Sequence, residues 1–339
     1  MNIGTKEIDR KVDETEGRAR VLTGWQLQLV ALVAFIWSLF QLWYASPLPF
    51  IVGFGVLIDV PARAIHLGFA LFLTFLSFPF LKRDRRKKFG LINFCLAIVA
   101  FFCTFYLFYN YEALVYRNGV LLTHEINIFG RQFNFPTELI LGMVGILLLL
   151  ESTRRAIGTP LVIVALIFLL YSIFGQSMPE MISHQGLSLK RLVGYHWFGG
   201  EAIFGIPISV SVSFVFLFVL FGSMLDFAGG GRYFLSLALA LVGKFRGGPA
   251  KASILASGLT GMISGSSIAN VVTTGTFTIP IMKKTGFPAV KAGAIEVAAS
   301  VNGQIMPPIM GAAAFIIAEM LGITYFQVIT HAFIPAIII

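Results

Sequence analysis

A chain of 339 residues that is 57% hydrophobic, 14% aromatic and only 12% charged, with a mean hydropathy of +0.85, is a polytopic membrane protein. Soluble domains carry about twice that charge fraction, so the net charge of +9 marks membrane topology rather than a nucleic-acid footprint. Cys95 and Cys103 lie in one apolar run, about 12 Å apart along a helix, which excludes a bond between them there, and the five histidines show no metal-ligand spacing.

Residues 1–23 are polar, mixed in sign and without a signal-peptide layout, and they read as a cytoplasmic tail. Apolar runs predicted as spans follow at 25–45, 64–81, 89–109, 137–150, 159–174 and 204–226. Two longer outer loops, 110–136 and 175–203, separate some of them; the second either lies along the membrane surface, meets a partner or simply connects. Gly229–Arg246 is apolar with basic ends, as expected of a helix in the cytoplasmic interface. Two arms at 250–263 and 268–282, an interrupted run at 289–322 and a final run from 326 complete the chain. With the N-terminus inside, cytoplasmic segments hold 20 of the 25 Lys and Arg residues, and the outer ones keep Arg63, Arg117, Arg131, Lys190 and Arg191. That bias supports the orientation.

The stretch Gly247–Pro308 breaks the pattern of simple spans three times. The knot Ser264-Gly265-Ser266-Ser267 separates the two arms, Pro280 with Lys283 and Lys284 is expected to end the second, and Asn302-Gly303-Gln304 with Pro307-Pro308 interrupts the next run. Arms of about a dozen residues fall short of the ~20 that a span needs. Non-helical backbone survives at depth only against protein or a wet cavity. The expected arrangement is a re-entrant helical hairpin, with its tip at the knot, facing a span broken at Asn302–Pro308; Ser/Gly packing between two ordinary helices is the plainer alternative. The ends of such half-helices leave backbone groups free to bind an ion.

Nothing in the chain reads as an enzyme: it has no phosphate-cradling Gly-rich loop followed by Lys, no metal cluster and no nucleophile triad in context. It does carry oxygens suited to sodium at the two breaks, from Ser266, Ser267, Asn270, Thr273, Thr274 and Asn302, with backbone carbonyls near Gly265 and Gly303. No carboxylate sits inside either break, which disfavours a divalent ion. Glu296 and Glu319 lie within apolar segments, where an acid is a functional candidate, although pairing with a neighbouring helix is the simpler account.

The runs RGGPAKASILASGLTGMISGSSIANVVTTGTFTIPIMKKTG and EVAASVNGQIMPPIMGAAAFIIAE closely resemble the permease of tripartite ATP-independent periplasmic (TRAP) transporters, and more narrowly the fused type that works with TAXI-class binding proteins. The likeness is specific from about Gly186 to Gly322 and architectural over 1–158, where four spans resemble the small permease subunit. It implies an all-α, elevator-type secondary transporter in the inner membrane, driven by an ion gradient and taking up organic acids delivered by a periplasmic binding protein. It places a sodium site at Ser264–Asn270 and at the Asn302–Pro308 break, with no other cofactor. TAXI-type members that use protons keep Glu296 in play, with Gln304, Pro307 and Pro308 beside the substrate path. The implied layout is a tail over 1–23, a four-helix scaffold over 24–158, and the first half of the transport region over 159–339. That family's transport core is an inverted repeat, and no second copy of the SGSS and NGQ…PP pattern follows, so the sequence reads as the N-terminal part of a longer permease. An ion channel or a non-transporting membrane scaffold are the competing readings.

Overall fold

Apolar runs become helices because their backbone groups have no water to pair with in lipid. The computed structural model describes residues 19–20, 22–80, 88–117, 120–128, 131–265 and 267–338. The tail over 1–18 and the basic stretch 82–87 lie outside them. The described chain forms two compact units, divided between Val212 and Ser213.

The first unit holds α1 (Trp25–Ala45), α2 (Leu48–Val52), α3 (Asp59–Ser77), α4 (Leu91–Tyr116), α5 (Thr137–Ala156) and α6 (Thr159–Ile173). One short antiparallel hairpin interrupts the helices in the first outer loop, β1 (His124–Ile128) against β2 (Arg131–Phe135). Helices α3 and α4 pack closely at Gly68, where a Cβ would lie 2.5 Å from the Thr104 hydroxyl. Helix α5 runs six residues past its predicted edge because its charges satisfy one another: Glu151 accepts from Arg154 and Arg155, each at 2.7 Å. At its other end the fully buried Glu138 accepts from Arg117 at 2.8 and 3.0 Å and from the Tyr106 hydroxyl at 2.9 Å. The 175–203 segment packs back into the first unit. After α7 (Leu189–Val193), a wide turn over Gly194–Phe198 buries Trp197 against Gly145, where a Cβ would sit 2.3 Å from its ring. Helix α8 (Ile206–Val210) continues through a second wide turn, Ser211–Val215, into α9 (Phe216–Phe227). Among the described residues, Trp25–Ala45, Asp59–Ser77, Leu91–Tyr116 and Ile206–Leu225 are long and apolar enough to cross a membrane.

The second unit carries α10 (Gly230–Val242), α11 (Gly248–Ser264), α12 (Ser267–Lys284), α13 (Ala289–Gly303), α14 (Ala312–Leu321) and α15 (Tyr325–Ile338). Helices α11 and α12 form the expected hairpin, but its arms are 17 and 18 residues long, about 26 Å each, and not a dozen. The extra length comes from ends that looked polar in sequence. Pro249 occupies the first turn, where a missing N–H costs nothing. Pro280 sits inside α12 and does not end it; the helix continues to Lys284. The interruption of the next run spans 304–311, so Asn302 and Gly303 close α13 from within its last turn. Helix α10, expected in the interface, rests one face on α11, where Ala238, Ala252 and Ala256 allow close approach.

Candidate functional site

Four helix ends converge where the hairpin meets the interrupted run. Gly265 caps α11 in the left-handed region at φ 63°, a conformation that favours glycine. Its carbonyl accepts from Gln304 Nε2 at 3.2 Å, and a Cβ on Gly311 would stand 3.3 Å from the same oxygen. The carbonyl ends of α11 and α13 and the N–H ends of α12 and α14 therefore flank these two breaks. Helix ends of this kind present partial charges without any ionised side chain. The loop between α13 and α14 contains the cis Pro307–Pro308 peptide, and Met310 adopts φ 61°. The Tyr325 hydroxyl donates to the Ile309 carbonyl, and its ring stacks on Phe315 at 4.3 Å.

Below the tip, α11 and α13 touch backbone to backbone. A Cβ on Gly261 would meet Gly303 Cα at 2.8 Å and Asn270 Nδ2 at 2.8 Å, so neither glycine has room for a side chain. Asn270 is buried and fully engaged: its Nδ2 donates to the Ser257 carbonyl at 2.7 Å, and its Oδ1 accepts from Thr260 Oγ1 at 2.7 Å. Asn302 is only half satisfied. Its Nδ2 donates to the Ala336 carbonyl at 3.0 Å, whereas its buried Oδ1 has no partner among the described residues. A buried amide oxygen left unpaired costs about 1–3 kcal/mol, so it marks a place where an additional group fits.

Glu296 is the most enclosed acid of the region. It is 0% exposed, and three helices turn hydroxyls toward it. Oε2 accepts from Ser253 at 2.8 Å and Thr278 at 2.5 Å; Oε1 accepts from Ser257 at 3.1 Å, Ser300 at 3.3 Å and Thr274. The five hydroxyls thus ring the carboxylate, and Ser257 also touches Ser300 at 2.9 Å and Thr274 at 3.4 Å. No Lys, Arg or His among the described residues forms an ion pair with it. Five potential donors exceed the roughly four lone-pair directions of a carboxylate. A buried carboxyl of this kind, without a cationic side chain, can take up one positive charge while the hydroxyls rotate from donating to accepting.

The residues expected from sequence fall into distinct groups. Gly265, Gln304 and the loop carrying Pro307 and Pro308 meet at the tip; Asn302 and Gly303 close α13 beneath it. Asn270 and Thr274 belong to the network around Ser257 and Glu296. Thr273 is exposed and lines a cavity beside Arg232, and Glu319 is exposed. Ser267 opens α12. Ser264 ends α11 with its side chain outside the described set, and Ser266 lies outside the described residues. Ser253, Ser257, Thr278, Ser300 and Gly261 were missed. Their signal was present as three i,i+4 pairs, Ser253/Ser257, Thr274/Thr278 and Glu296/Ser300, each setting two polar groups on one helical face.

Residues 144–339, more than half of the chain, match the family described as the tripartite ATP-independent periplasmic transporter, DctM component. YgiK of Salmonella typhimurium, an uncharacterised protein, is 30% identical over 177 residues, which cover 52% of this chain and 36% of that protein. A putative TRAP transporter large permease of Haemophilus influenzae is 28% identical over 34% of this chain and 27% of its own. The C4-dicarboxylate TRAP transporter large permease DctM of Rhodobacter capsulatus is 33% identical over 27% of this chain and 21% of its own. The chain thus spans about a third or less of the length of these relatives. No solved structure matches it significantly. The family match contains the hairpin, the interrupted run and the Glu296 network together, and the chain belongs to the DctM family of TRAP transporter permeases.

Proposed function

We propose that the chain works as the permease of a secondary active transporter in the inner membrane. It takes up organic acids delivered by a periplasmic binding protein, of the TAXI class on the sequence resemblance, at the expense of an ion gradient. The observation that carries this reading is the meeting of the hairpin tip at Gly265 with the 304–311 break, since paired breaks at depth are how such transporters build ion sites. On this reading the hairpin is re-entrant, and it crosses the bilayer with α13 and α14 as one body in an elevator motion.

Two observations favour two coupling ions. The unpaired Asn302 Oδ1 and the carbonyl ends at the tip supply neutral oxygens, the donor set that suits sodium. The cation-free Glu296 among hydroxyls suits a proton. Uptake of labelled C4-dicarboxylates, the class named for the Rhodobacter capsulatus relative, into proteoliposomes supplied with the binding protein tests the proposal. Accumulation requires an inward sodium or proton gradient. Asn302→Ala then raises the half-saturating sodium concentration about 5- to 150-fold if sodium drives it, from a lost ligand worth ~1–3 kcal/mol. Glu296→Gln abolishes the pH dependence if protons do. Uptake that ignores both gradients, or a current independent of the binding protein, overturns the reading in favour of a channel.

A further inference from the structure

A second feature borders the Glu296 network from outside. An open cavity of about 390 Å³ is lined by Gly229, Arg232, Thr273, Thr274, Phe277 and Thr278. Its volume falls within the ~300–1,000 Å³ typical of small-ligand pockets. Among the described residues, Arg232 is the one charged residue that lines it. Gly229, at φ 89°, caps the 13-residue α10, and Gly229, Gly231 and Arg232 all line the cavity, so the first turn of that helix borders it. Thr274 and Thr278 are 5% and 2% exposed, and both also donate to Glu296. One pair of side chains therefore borders both the cavity and the buried carboxyl.

We propose that this cavity is an organic-anion subsite, with Arg232 receiving a carboxylate in a forked pair and Phe277 flanking the apolar part of the ligand. The proposal rests on the transporter reading above and adds a link between anion and cation. A threonine hydroxyl has one proton to give. Each proton is shared between Glu296 and a carbonyl one turn back, Asn270 O for Thr274 at 2.7 Å and Thr274 O for Thr278 at 2.9 Å, so an ionised Glu296 leaves only lone pairs for the cavity, which repel an anion. A cation seated at Glu296 removes the carboxylate's claim on those protons, and an anion in the cavity then competes for them with the two backbone carbonyls alone. Each ligand thus prepares the site for the other, as symport requires.

The test uses the protein with Cys95 and Cys103 replaced by alanine and Thr273→Cys introduced, in vesicles of pure phosphatidylcholine. The rate of maleimide labelling at 273 is measured with millimolar succinate, glutamate or 2-oxoglutarate, and with glycerol as control. At least one acid is expected to slow labelling. Arg232→Gln, a change at an exposed position, raises the half-protecting concentration about tenfold or more, and Arg232→Lys falls between. Protection rises with the coupling cation in the parent, and in Glu296→Gln it no longer depends on it. Protection that is unchanged in Arg232→Gln, or absent with every acid, overturns the proposal. Protection that appears only when phosphatidylglycerol is added assigns the cavity to a lipid headgroup and overturns it as well. Uptake of the same acid is followed in parallel: intact uptake with an unprotected position 273 sinks the subsite alone, whereas absent uptake and absent binding sink the transporter reading with it.

Discussion

Replacing Gly261 with alanine tests the backbone contact between α11 and α13. The added Cβ would stand 2.8 Å from Gly303 Cα and 2.8 Å from Asn270 Nδ2. Carbon atoms are comfortable at about 3.5–4.0 Å, so α11 and α13 must separate by roughly 1 Å or Asn270 must leave Ser257. Overpacking of this kind costs about 1–3 kcal/mol, and a broken Asn270 hydrogen bond adds about 1 kcal/mol. Alanine recovers about 1 kcal/mol of helix propensity, leaving a net loss of about 1–3 kcal/mol. Gly293 on α13 supplies the matched control, because a Cβ there meets nothing within 4 Å. Gly293→Ala gains the propensity without the clash and is expected to be neutral or stabilising by up to ~1 kcal/mol. Thermal unfolding of the two variants in one detergent, followed by amide exchange over α11 and α13, gives the comparison directly. If Gly261→Ala is as stable as Gly293→Ala, the helices are not in backbone contact at this point, and the geometry assigned to the site is wrong.

Removing charge from Glu138 by Glu138→Gln is expected to cost about 3 kcal/mol, because it leaves Arg117 beside a buried neutral amide; the double variant with Arg117→Met recovers part of that loss in the same unfolding assay. Tyr325→Phe keeps the stack on Phe315 but loses the hydroxyl contact to Ile309, so amide exchange over 305–311 quickens by about fivefold, for a bond worth ~1 kcal/mol. Unchanged exchange there would show that the hydroxyl does not hold the loop. Lys284→Cys in the same cysteine-free background should react with a membrane-impermeant reagent only from the cytoplasmic face, as the 20-of-25 charge bias requires; labelling from outside reverses the orientation.

Much of the architecture could be read from residue order because lipid imposes a strong constraint on the backbone. Apolar runs at 25–45 and 159–174 became helices at Trp25–Ala45 and Thr159–Ile173, within a residue of their expected edges. Edges failed where charge or proline misled. Helix α5 carries Arg155 into a buried place, donating to Asn93 at 2.9 Å with its guanidinium 4.8 Å from the Phe75 ring, and such partners are invisible to hydropathy. Pro280 was taken for a stop, yet a proline lacks only one helical N–H bond, and the helix continues through it to Lys284. At the site, the two breaks were legible as Gly and Pro clusters. The hydroxyl ring was not, because attention to interruptions passes over serines and threonines inside regular helix. Their partner, Glu296, was legible only as an isolated acid in apolar surroundings.

The spacing on α11 explains how the two candidate ion positions belong to one device. Ser253, Ser257, Gly261 and Gly265 recur every fourth residue and so share a face of the helix. The first two reach Glu296, the third touches Gly303, and the fourth caps the helix at the tip. From Ser257 to Gly265 is about 12 Å along the axis. Asn270, from the opposite arm, grips the lower part of that span, holding Ser257 through its Nδ2 and Thr260 through its Oδ1. On the proposed function, a cation arriving at Glu296 changes which way the single proton of Ser257 points, and with it the hydrogen bond available to Asn270. The glycines beneath the tip leave no slack to absorb that change, since a shift of α11 against α13 is transmitted backbone to backbone. Separate deletions at the tip and at Glu296 should therefore not add: Asn302→Ala combined with Glu296→Gln is expected to cost less in ion dependence than the sum of the two single changes, and strict additivity would show that the two positions act independently.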